Sequence, residues 1–294
     1  MPLLSVVMST YNREHLVKET MESVLNQSFS DFEFIVIDDC STDNTSQILH
    51  SFDDNRIKIL KNSQNKGCTF NYHIAHNLSK GKYIAHIDDD DICLPNRFEK
   101  QLDFLNQNEE ISLLGTFVET FGENERPSWT FYTEPEKIDF VMNFYNPFCH
   151  SSIIYDKEFA DINSINYDLT CKCAQDYDFY KQFILKGGKL ANINDVLVRY
   201  RMHPKRLTDV FETQQIQINV AERVKEQLLS RFLNRDEINE VNKLLTNFPY
   251  NEYNMENAIK AICFVGEMAT SKGFYSSKTI DSIVDDVKNN LFSF

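Results

Sequence analysis

The feature that most limits how this chain can fold is an alternation, over about its first two hundred residues, of short apolar runs with helix-patterned stretches. Leu4-Ser-Val-Val-Met8 has strand character and ends in the polar turn Ser9-Thr-Tyr-Asn12. Glu14–Asn26 then carries Leu16, Val17, Met21, Val24 and Leu25 at helical spacing. Phe32–Ile37 is nearly all apolar, as a strand covered on both faces requires. Behind it come Asp38 and Asp39, with Ser41 or Thr42 placed to cap a helix reaching about Phe52. A third strand is expected at Arg56–Leu60, a helix at Thr69–Leu78, and a fourth strand at Lys82–Ile87 after the turn at Gly81. Pro95 then opens a helix to about Asn106. This βαβαβαβα order predicts an α/β fold, an open and mostly parallel sheet with helices on both faces.

Ser112–Phe121 reads as a further strand, and residues 122–150 are rich in aromatics, with the single Trp129, and read irregularly. "HSSIIY" resumes a strand, Tyr177–Leu185 is a helix closed by Gly187-Gly188, and Val196–Met202 is a last strand. Beyond about residue 209 four stretches have helical period, among them "DEINEVNKLL" and "KTIDSIVDDVKNNLF". The expected organisation is a sheet domain over 1–208 and a C-terminal helical region over 209–294. Apolar stripes such as Ile259, Ile262, Cys263 and Met268 read as core, and acceptor docking, membrane-surface contact and dimerisation stay open for this region.

In open α/β sheets ligands bind beyond the carboxyl ends of the strands. Three polar clusters fall at such ends: Ser9–Asn12, Asp38-Asp39 and the run Asp88–Asp91 in "HIDDDDICLP". Neighbouring carboxylates about 4 Å apart repel by roughly 4 kcal/mol at an effective dielectric near 20. Such a run either faces open water or holds something positive, and the strand-end position favours the second. Hard oxygen ligands suit Mg²⁺ or Mn²⁺, with substrate phosphates completing the shell. In an extended segment Asp88 and Asp90 would share a face, with Asp89 turned elsewhere, free to accept from a sugar hydroxyl. Neither G-x-G-x-x-G nor G-x-x-x-x-G-K-[ST] occurs, nor G-x-S-x-G nor H-E-x-x-H.

The net charge of −14 disfavours a general nucleic-acid binder, since counterion release needs a basic surface. No apolar run approaches the roughly 18 residues of a membrane span, and "MPLLSVVMSTYN" lacks the marks of a signal peptide, so a cytoplasmic location is expected. Seven scattered cysteines do not form a disulfide framework, and Cys171-Lys-Cys173 without a second pair is a weak zinc signal. Reduced structural thiols are expected.

"SVVMSTYNREHLVKETMESVLNQSFSDFEFIVIDDCSTDNT", "NKG", "GKYIAHIDDDD", "NPFCHSSIIY", "QDYDFYKQFILKGG" and "VRYRMHPKRLT" together resemble the inverting nucleotide-sugar glycosyltransferases of family 2, in order, over residues 3–207. The resemblance implies the GT-A fold and transfer of a hexose or N-acetylhexosamine from a UDP-sugar to a glycan or lipid-linked glycan hydroxyl. It further implies a role in bacterial surface polysaccharide synthesis, such as lipopolysaccharide, O-antigen or capsule, at the inner face of the cell membrane. It places Thr10, Tyr11, Asn12, Arg13 and Glu14 at the nucleotide-binding turn, Asp39 at the base, and Asn65 and Gly67 in the N-x-G motif. Asp88-x-Asp90 matches the D-x-D motif, with Asp88 and Asp89 toward the ribose and Asp90 on a Mn²⁺ or Mg²⁺ ion bridging the diphosphate. Asp176 falls at the general base, and His203 matches a histidine that approaches the diphosphate or the metal. Two positions depart from the family: Tyr72-His73 stands where an Arg-Asn pair is usual, and Gln175 where Glu is.

Physically, an inverting transfer needs a carboxylate to take the acceptor proton and positive charge at the departing diphosphate. Asp176 opens a helix, whose dipole favours its ionised form. Arg199, Arg201, Lys205 and Arg206 form the most basic stretch and face either a diphosphate or solvent. A sugar nucleotidyltransferase is disfavoured by the missing Gly-rich loop after the first strand. A non-catalytic sugar-nucleotide or protein-binding module would need no base. A Ca²⁺ loop of EF-hand type would need a glycine within the acidic run.

Overall fold

A computed structural model describes residues 1–123, 129, 131–203, 211–245 and 255–289. Lys205 and Arg206, and part of the aromatic segment (124–128 and 130), lie outside the described residues. The first four long strands, β1 (Leu4–Thr10), β2 (Phe32–Asp38), β3 (Ile57–Lys61) and β4 (Tyr83–His86), form a parallel array in the order β3-β2-β1-β4. The remaining strands, β5 (Ile92–Cys93), β6 (Ile111–Gly122), β7 (Ile154–Asp156) and β8 (Lys189–Met202), extend that sheet as β7-β6-β8-β5. In this half β7 runs antiparallel to both its neighbours and β5 antiparallel to β8. β6 and β8 pair in parallel and run in the same direction as β1–β4, so the sheet is mostly parallel, as expected, with β7 and β5 as its two antiparallel strands.

Alternation along the strands places successive side chains on opposite faces. Val6 and Met8 of β1 and Phe34 and Val36 of β2 join one apolar cluster, which α1 (Val17–Leu25) and α4 (Arg97–Gln107) cover. Val7, Ile35 and Ile37 join a second, covered by α3 (Cys68–Leu78) and α7 (Gln175–Leu185). This second cluster continues without interruption into α8 (Phe211–Leu229), α9 (Arg235–Leu244), α10 (Met255–Ser271) and α11 (Ser277–Lys288). Ile262 is buried there, with Ile259, Cys263 and Met268 packed against it, as their stripe implied. Polar ties also cross from these helices to the sheet side. Arg231 reaches Asp139 at 2.7 Å, Lys181 reaches Gln227 at 2.6 Å, and Tyr132 reaches Asp286 at 3.0 Å. No helix among the described residues is long and apolar enough to cross a membrane.

Several elements differ from the sequence reading for local reasons. The helix expected from Ser41 to Phe52 shrinks to α2 (Thr45–Leu49). Residues 41–44 are engaged elsewhere: Ser41 and Asp43 accept from the backbone of Asn12 and Glu14, while Asn44 donates to the Glu14 carboxylate. The 122–150 segment holds α5 (Pro135–Val141), with Pro135 in the first turn, where its missing N–H costs nothing. "HSS" forms a 3₁₀ turn (His150–Ser152) rather than strand, with the Ser152 hydroxyl bonded to the Cys149 carbonyl at 2.8 Å. After β7, α6 (Lys157–Ile162) is capped by Asp156. At Gly81 a Cβ would lie 2.5 Å from Ser5 N and 2.6 Å from Leu4 C, so glycine is what lets the turn before β4 press against β1.

Candidate active site

The loops beyond β1 and β2 are locked together. Asn12 takes the left-handed conformation (φ 54°), its N–H donates to Ser41 Oγ at 3.0 Å, and its Oδ1 accepts from Thr42 N at 2.9 Å. Arg13 N donates to Thr45 Oγ1 at 2.7 Å, and Glu14 Oε2 accepts from Asn44. Asn12 and Glu14 thus build the turn, while Tyr11 stays 43% exposed with its ring available. Thr10 is buried at the end of β1.

Asp39 is buried and fastens the N-x-G loop: its Oδ1 accepts from Asn62 Nδ2 (2.7 Å) and Lys66 N (2.9 Å), its Oδ2 from Gly67 N (2.8 Å). A carboxylate offers about four acceptor sites, so one position on Oδ2 remains. Gly67 has φ +85° with nothing within 4 Å of a Cβ, so backbone conformation rather than space calls for glycine there. Asn65 is exposed on the same loop.

The acidic run is a turn, closed by Asp91 N donating to Asp88 O at 3.3 Å, and so the face-sharing expected of an extended segment does not hold. Asp89 and Asp90 face Arg13, whose Nε donates to Asp89 Oδ1 at 3.1 Å and whose Nη2 lies 3.7 Å from Asp90 Oδ2. Tyr11 N also donates to Asp89. Asp88 turns the other way, accepting from the Tyr72 hydroxyl at 2.8 Å and from His150 Nδ1 at 3.2 Å, with its side chain still 35% exposed. Asp91 is fully buried and structural: it accepts from the Ser151 hydroxyl and from Arg201 N. Arg97, also fully buried, donates to the carbonyls of His86 and Ile153 and fastens the end of β4 to the start of β7.

The four carboxyls consequently titrate apart. Burial would raise Asp88, but the charge and hydrogen bond of His150 and the Tyr72 hydroxyl outweigh it and hold it at about 2. Burial and the charge of Asp90 push Asp89 up to about 7 against the pull of Arg13. Burial and Asp88 raise Asp90, and burial with the charges of Asp90 and Asp88 raises Asp91 well above the usual range. Such a turn carries more acid than it can ionise alone.

His203 follows β8, and pairing of Ile92 with Arg199 and Cys93 with Val198 brings that strand end to the acidic turn. His203 Nε2 lies 2.9 Å from Asp90 Oδ2. A carboxylate oxygen beside an imidazole nitrogen is a donor pair that Mn²⁺ accepts, while Mg²⁺ would be held by the carboxylate oxygen, and a cation there would offset the repulsion between Asp90 and Asp88, so these residues fit the ion. The described part of the basic stretch is otherwise committed. Arg199 pairs with Glu119 at 2.7 Å, and Arg201 holds Glu19 and the Asp90 carbonyl while lying over Phe121.

Asp176 sits in the first turn of α7, after Ala174 in the left-handed region (φ 50°). Its Oδ2 accepts from Asn146 Nδ2 at 2.8 Å. Burial raises its carboxyl, eased by the charge of His150 and by backbone N–H groups at the helix start. His150 is the link between the two acidic sites: burial opposes its charge, but Asp88, then Asp176, raise it. Its Nε2 meets His86 Nδ1 at 3.0 Å and the Tyr167 hydroxyl at 3.1 Å, and burial keeps His86 well below its ordinary value. The ring of Tyr72 stacks on His86, with centroids 4.8 Å apart.

Sequence reading missed Asn146, His150, Ser151 and Tyr167, and treated Tyr72 only as a departure. The signal available was "NPFCHSS", polar residues preceding a buried strand. A set of metal-type donors within 4.8 Å of one another does occur elsewhere, at Asp168, Cys171 and Asp178. Cations already sit among them: Arg223 lies 2.6 Å from Cys171 Sγ and 3.0 Å from Asp178, and Lys181 lies 2.8 Å from Asp178. This knot pins α8 to the loop before α7, and none of the seven cysteines is paired with another.

Comparison with known proteins bears on the family and the fold. The sequence model of the family described as Glycosyl transferase family 2 matches residues 5–160. An uncharacterized glycosyltransferase of Haemophilus influenzae is 29% identical over 307 residues, spanning 100% of this chain and 93% of the relative. The UDP-Glc:alpha-D-GlcNAc-diphosphoundecaprenol beta-1,3-glucosyltransferase WfaP of Escherichia coli is 29% identical over 205 residues, 69% of this chain and 78% of its own. The crystal structure of S. aureus TarS 1-349 in complex with UDP-GlcNAc has a TM-score of 0.65 at 19% identity, covering 97% of this chain and 87% of that one.

Proposed function

Since the chain belongs to glycosyl transferase family 2 and has the GT-A fold, we propose that it is an inverting, metal-dependent enzyme moving a hexose or N-acetylhexosamine from a UDP-sugar to a glycan hydroxyl. The observation that carries the reading is the pairing of an over-charged acidic turn beyond β4 with a separate carboxylate, Asp176, on α7, joined through His150.

On the donor side Tyr11 would stack on the base, and the remaining acceptor position of Asp39 would take the uracil N–H. Thr10, Asn12, Arg13 and Glu14 would shape that turn, Asn65 and Gly67 would edge the nucleotide, and Asp88 and Asp89 would accept from ribose hydroxyls. Asp90 and His203 would hold Mn²⁺ or Mg²⁺. When bound, the cation would supply positive charge at the departing diphosphate. Arg13, now paired with Asp89 and Asp90, is placed to turn toward phosphate once those carboxylates are neutralised. On the acceptor side Asp176 would take the hydroxyl proton as the new C–O bond forms, its raised pKa making it a better base than an exposed aspartate.

UDP as the nucleotide is supported by the names of the two relatives that carry it, WfaP and the TarS complex. The WfaP name also supports a lipid-linked acceptor of the GlcNAc-diphosphoundecaprenol type; a role in surface polysaccharide synthesis at the cytoplasmic face of the membrane belongs to the same proposal. The helical region 209–294, which shares an apolar cluster with the sheet, would brace α7 and frame the acceptor side.

Thermal denaturation tests the donor reading, because a ligand that binds only the folded chain raises Tm. UDP with Mn²⁺ should raise Tm beyond either alone and beyond ADP or GDP with Mn²⁺, and EDTA should remove the difference. Equal shifts for all three nucleotides would refute UDP selectivity.

A further inference from the structure

The segment Asn146–Ser151 leads into β7, whose start pairs with the carboxyl end of β4, and it touches both acidic sites. Asn146 Nδ2 donates to Asp176 Oδ2 at 2.8 Å while its own Oδ1 accepts from Phe148 N at 3.1 Å. Both ends of the amide are engaged, so its orientation is set. Four residues on, His150 Nδ1 meets Asp88 Oδ1 at 3.2 Å, and Ser151 Oγ accepts from Asp88 N at 3.1 Å while donating to Asp91. The segment is itself held: Asn192 Nδ2 donates to the Pro147 carbonyl at 3.2 Å, Gln101 Nε2 donates to the Ser152 carbonyl at 2.9 Å, and Cys149, Ser151 and Ser152 are buried.

We propose that Asn146 and His150 are positioning residues, and that the rigid segment carrying them sets the spacing between the proton-accepting Asp176 and the donor-side Asp88. The inference rests on the reading of Asp176 as the base. α7 begins at a left-handed Ala174 with no side-chain cap, so the helix start alone orients its first side chains poorly. The side-chain bond from Asn146 supplies that orientation. A misplacement of about 1 Å in a reacting group costs on the order of 10²-fold in rate, which is the scale on which such a restraint acts. The charged and titratable groups around Asp176 are His150 from the 3₁₀ turn, Asp88 from the acidic turn, Tyr167 from the loop before α7 and Tyr180 from α7 itself.

Asn146→Ala, His150→Gln and Asp176→Asn in the full chain separate the possibilities, with kcat, its pH profile and the Kd for UDP with Mn²⁺ as readouts. Asn146→Ala should lower kcat about 10- to 100-fold and leave the UDP Kd within about twofold. It should also move the acidic limb of kcat to higher pH, since a carboxylate that loses a donor to its charged form holds its proton more tightly. His150→Gln should raise the donor KM as well, because it frees Asp88. Asn146→Ser carries the same expectation if the alanine variant fails to fold. If Asp176→Asn keeps wild-type kcat, the base reading fails. If Asp176→Asn is inactive but Asn146→Ala keeps its kcat and acidic limb, the positioning role is overturned while the base stands. Equal loss of kcat and of UDP binding in Asn146→Ala also overturns it.

Discussion

Asp176→Asn is expected to lower kcat by about 10²–10⁴-fold, the usual contribution of a positioned general base. The substitution keeps size and shape, and the remaining side-chain oxygen can still accept from Asn146. Fold and donor binding should therefore survive, with the UDP Kd close to wild type and Tm little changed. The loss arises because an amide cannot take the acceptor proton at the moment the glycosidic bond forms. The same assignment fixes the sign of the pH dependence. Burial raises the Asp176 carboxyl, and the base works only when ionised. Activity should fall as pH drops through a pKa above that of an exposed aspartate, and rates at low acceptor concentration should report it. A flat acid limb down to the ordinary carboxylate range would contradict the assignment.

Asp90→Ala is expected to have the second largest effect, about 10²–10³-fold on transfer, because electrostatic stabilisation of a leaving group commonly contributes on that scale. Unlike Asp176→Asn it should act on binding as well. Titration with UDP should lose its enhancement by Mn²⁺, since His203 alone would remain of the proposed pair. The variant also leaves Arg13 with Asp89 as its partner, so UDP binding without metal should be retained or tightened. Neighbouring Asp91→Ala would behave differently: its carboxylate is fully buried and bonded to Ser151 and the Arg201 amide, so a lower Tm is its first consequence.

The strands that lead to the site were legible because their periodicity states their burial. β1 and β2 alternate between two apolar clusters, and the polar residues that end them could only lie at the sheet's carboxyl edge. Convergence of Ser9–Asn12, Asp38-Asp39 and Asp88–Asp91 followed from topology alone. The orientation of each carboxylate did not. Whether Asp88 faces its neighbours or turns away depends on a backbone turn and on Tyr72 and His150, which come from distant parts of the chain. The segment 146–151 stood out as a motif, but the roles of its side chains were unreadable for the same reason, since its partners, Asp88, Asp91 and Asp176, are met only across the fold. α2 was overextended because Ser41 and Thr42 look like caps by type, while the loop beyond β1 claims them, Ser41 accepting from Asn12 N and Thr42 N donating to Asn12 Oδ1. The four residues "DDDD", alike on paper, become one partly exposed acceptor, two partners of Arg13 and one structural keystone.

The configuration at the anomeric carbon of the product tests the central claim most directly. The proposed arrangement, a single carboxylate base opposite a cation-held diphosphate, implies displacement in one step, with attack opposite the departing UDP. Proton NMR of the product from an α-linked UDP-sugar and a GlcNAc-diphospholipid acceptor should show a β-linkage, identified by its anomeric coupling constant. An α-linkage would contradict the account, because retention requires chemistry for which neither Asp176 nor the acidic turn has been assigned a role.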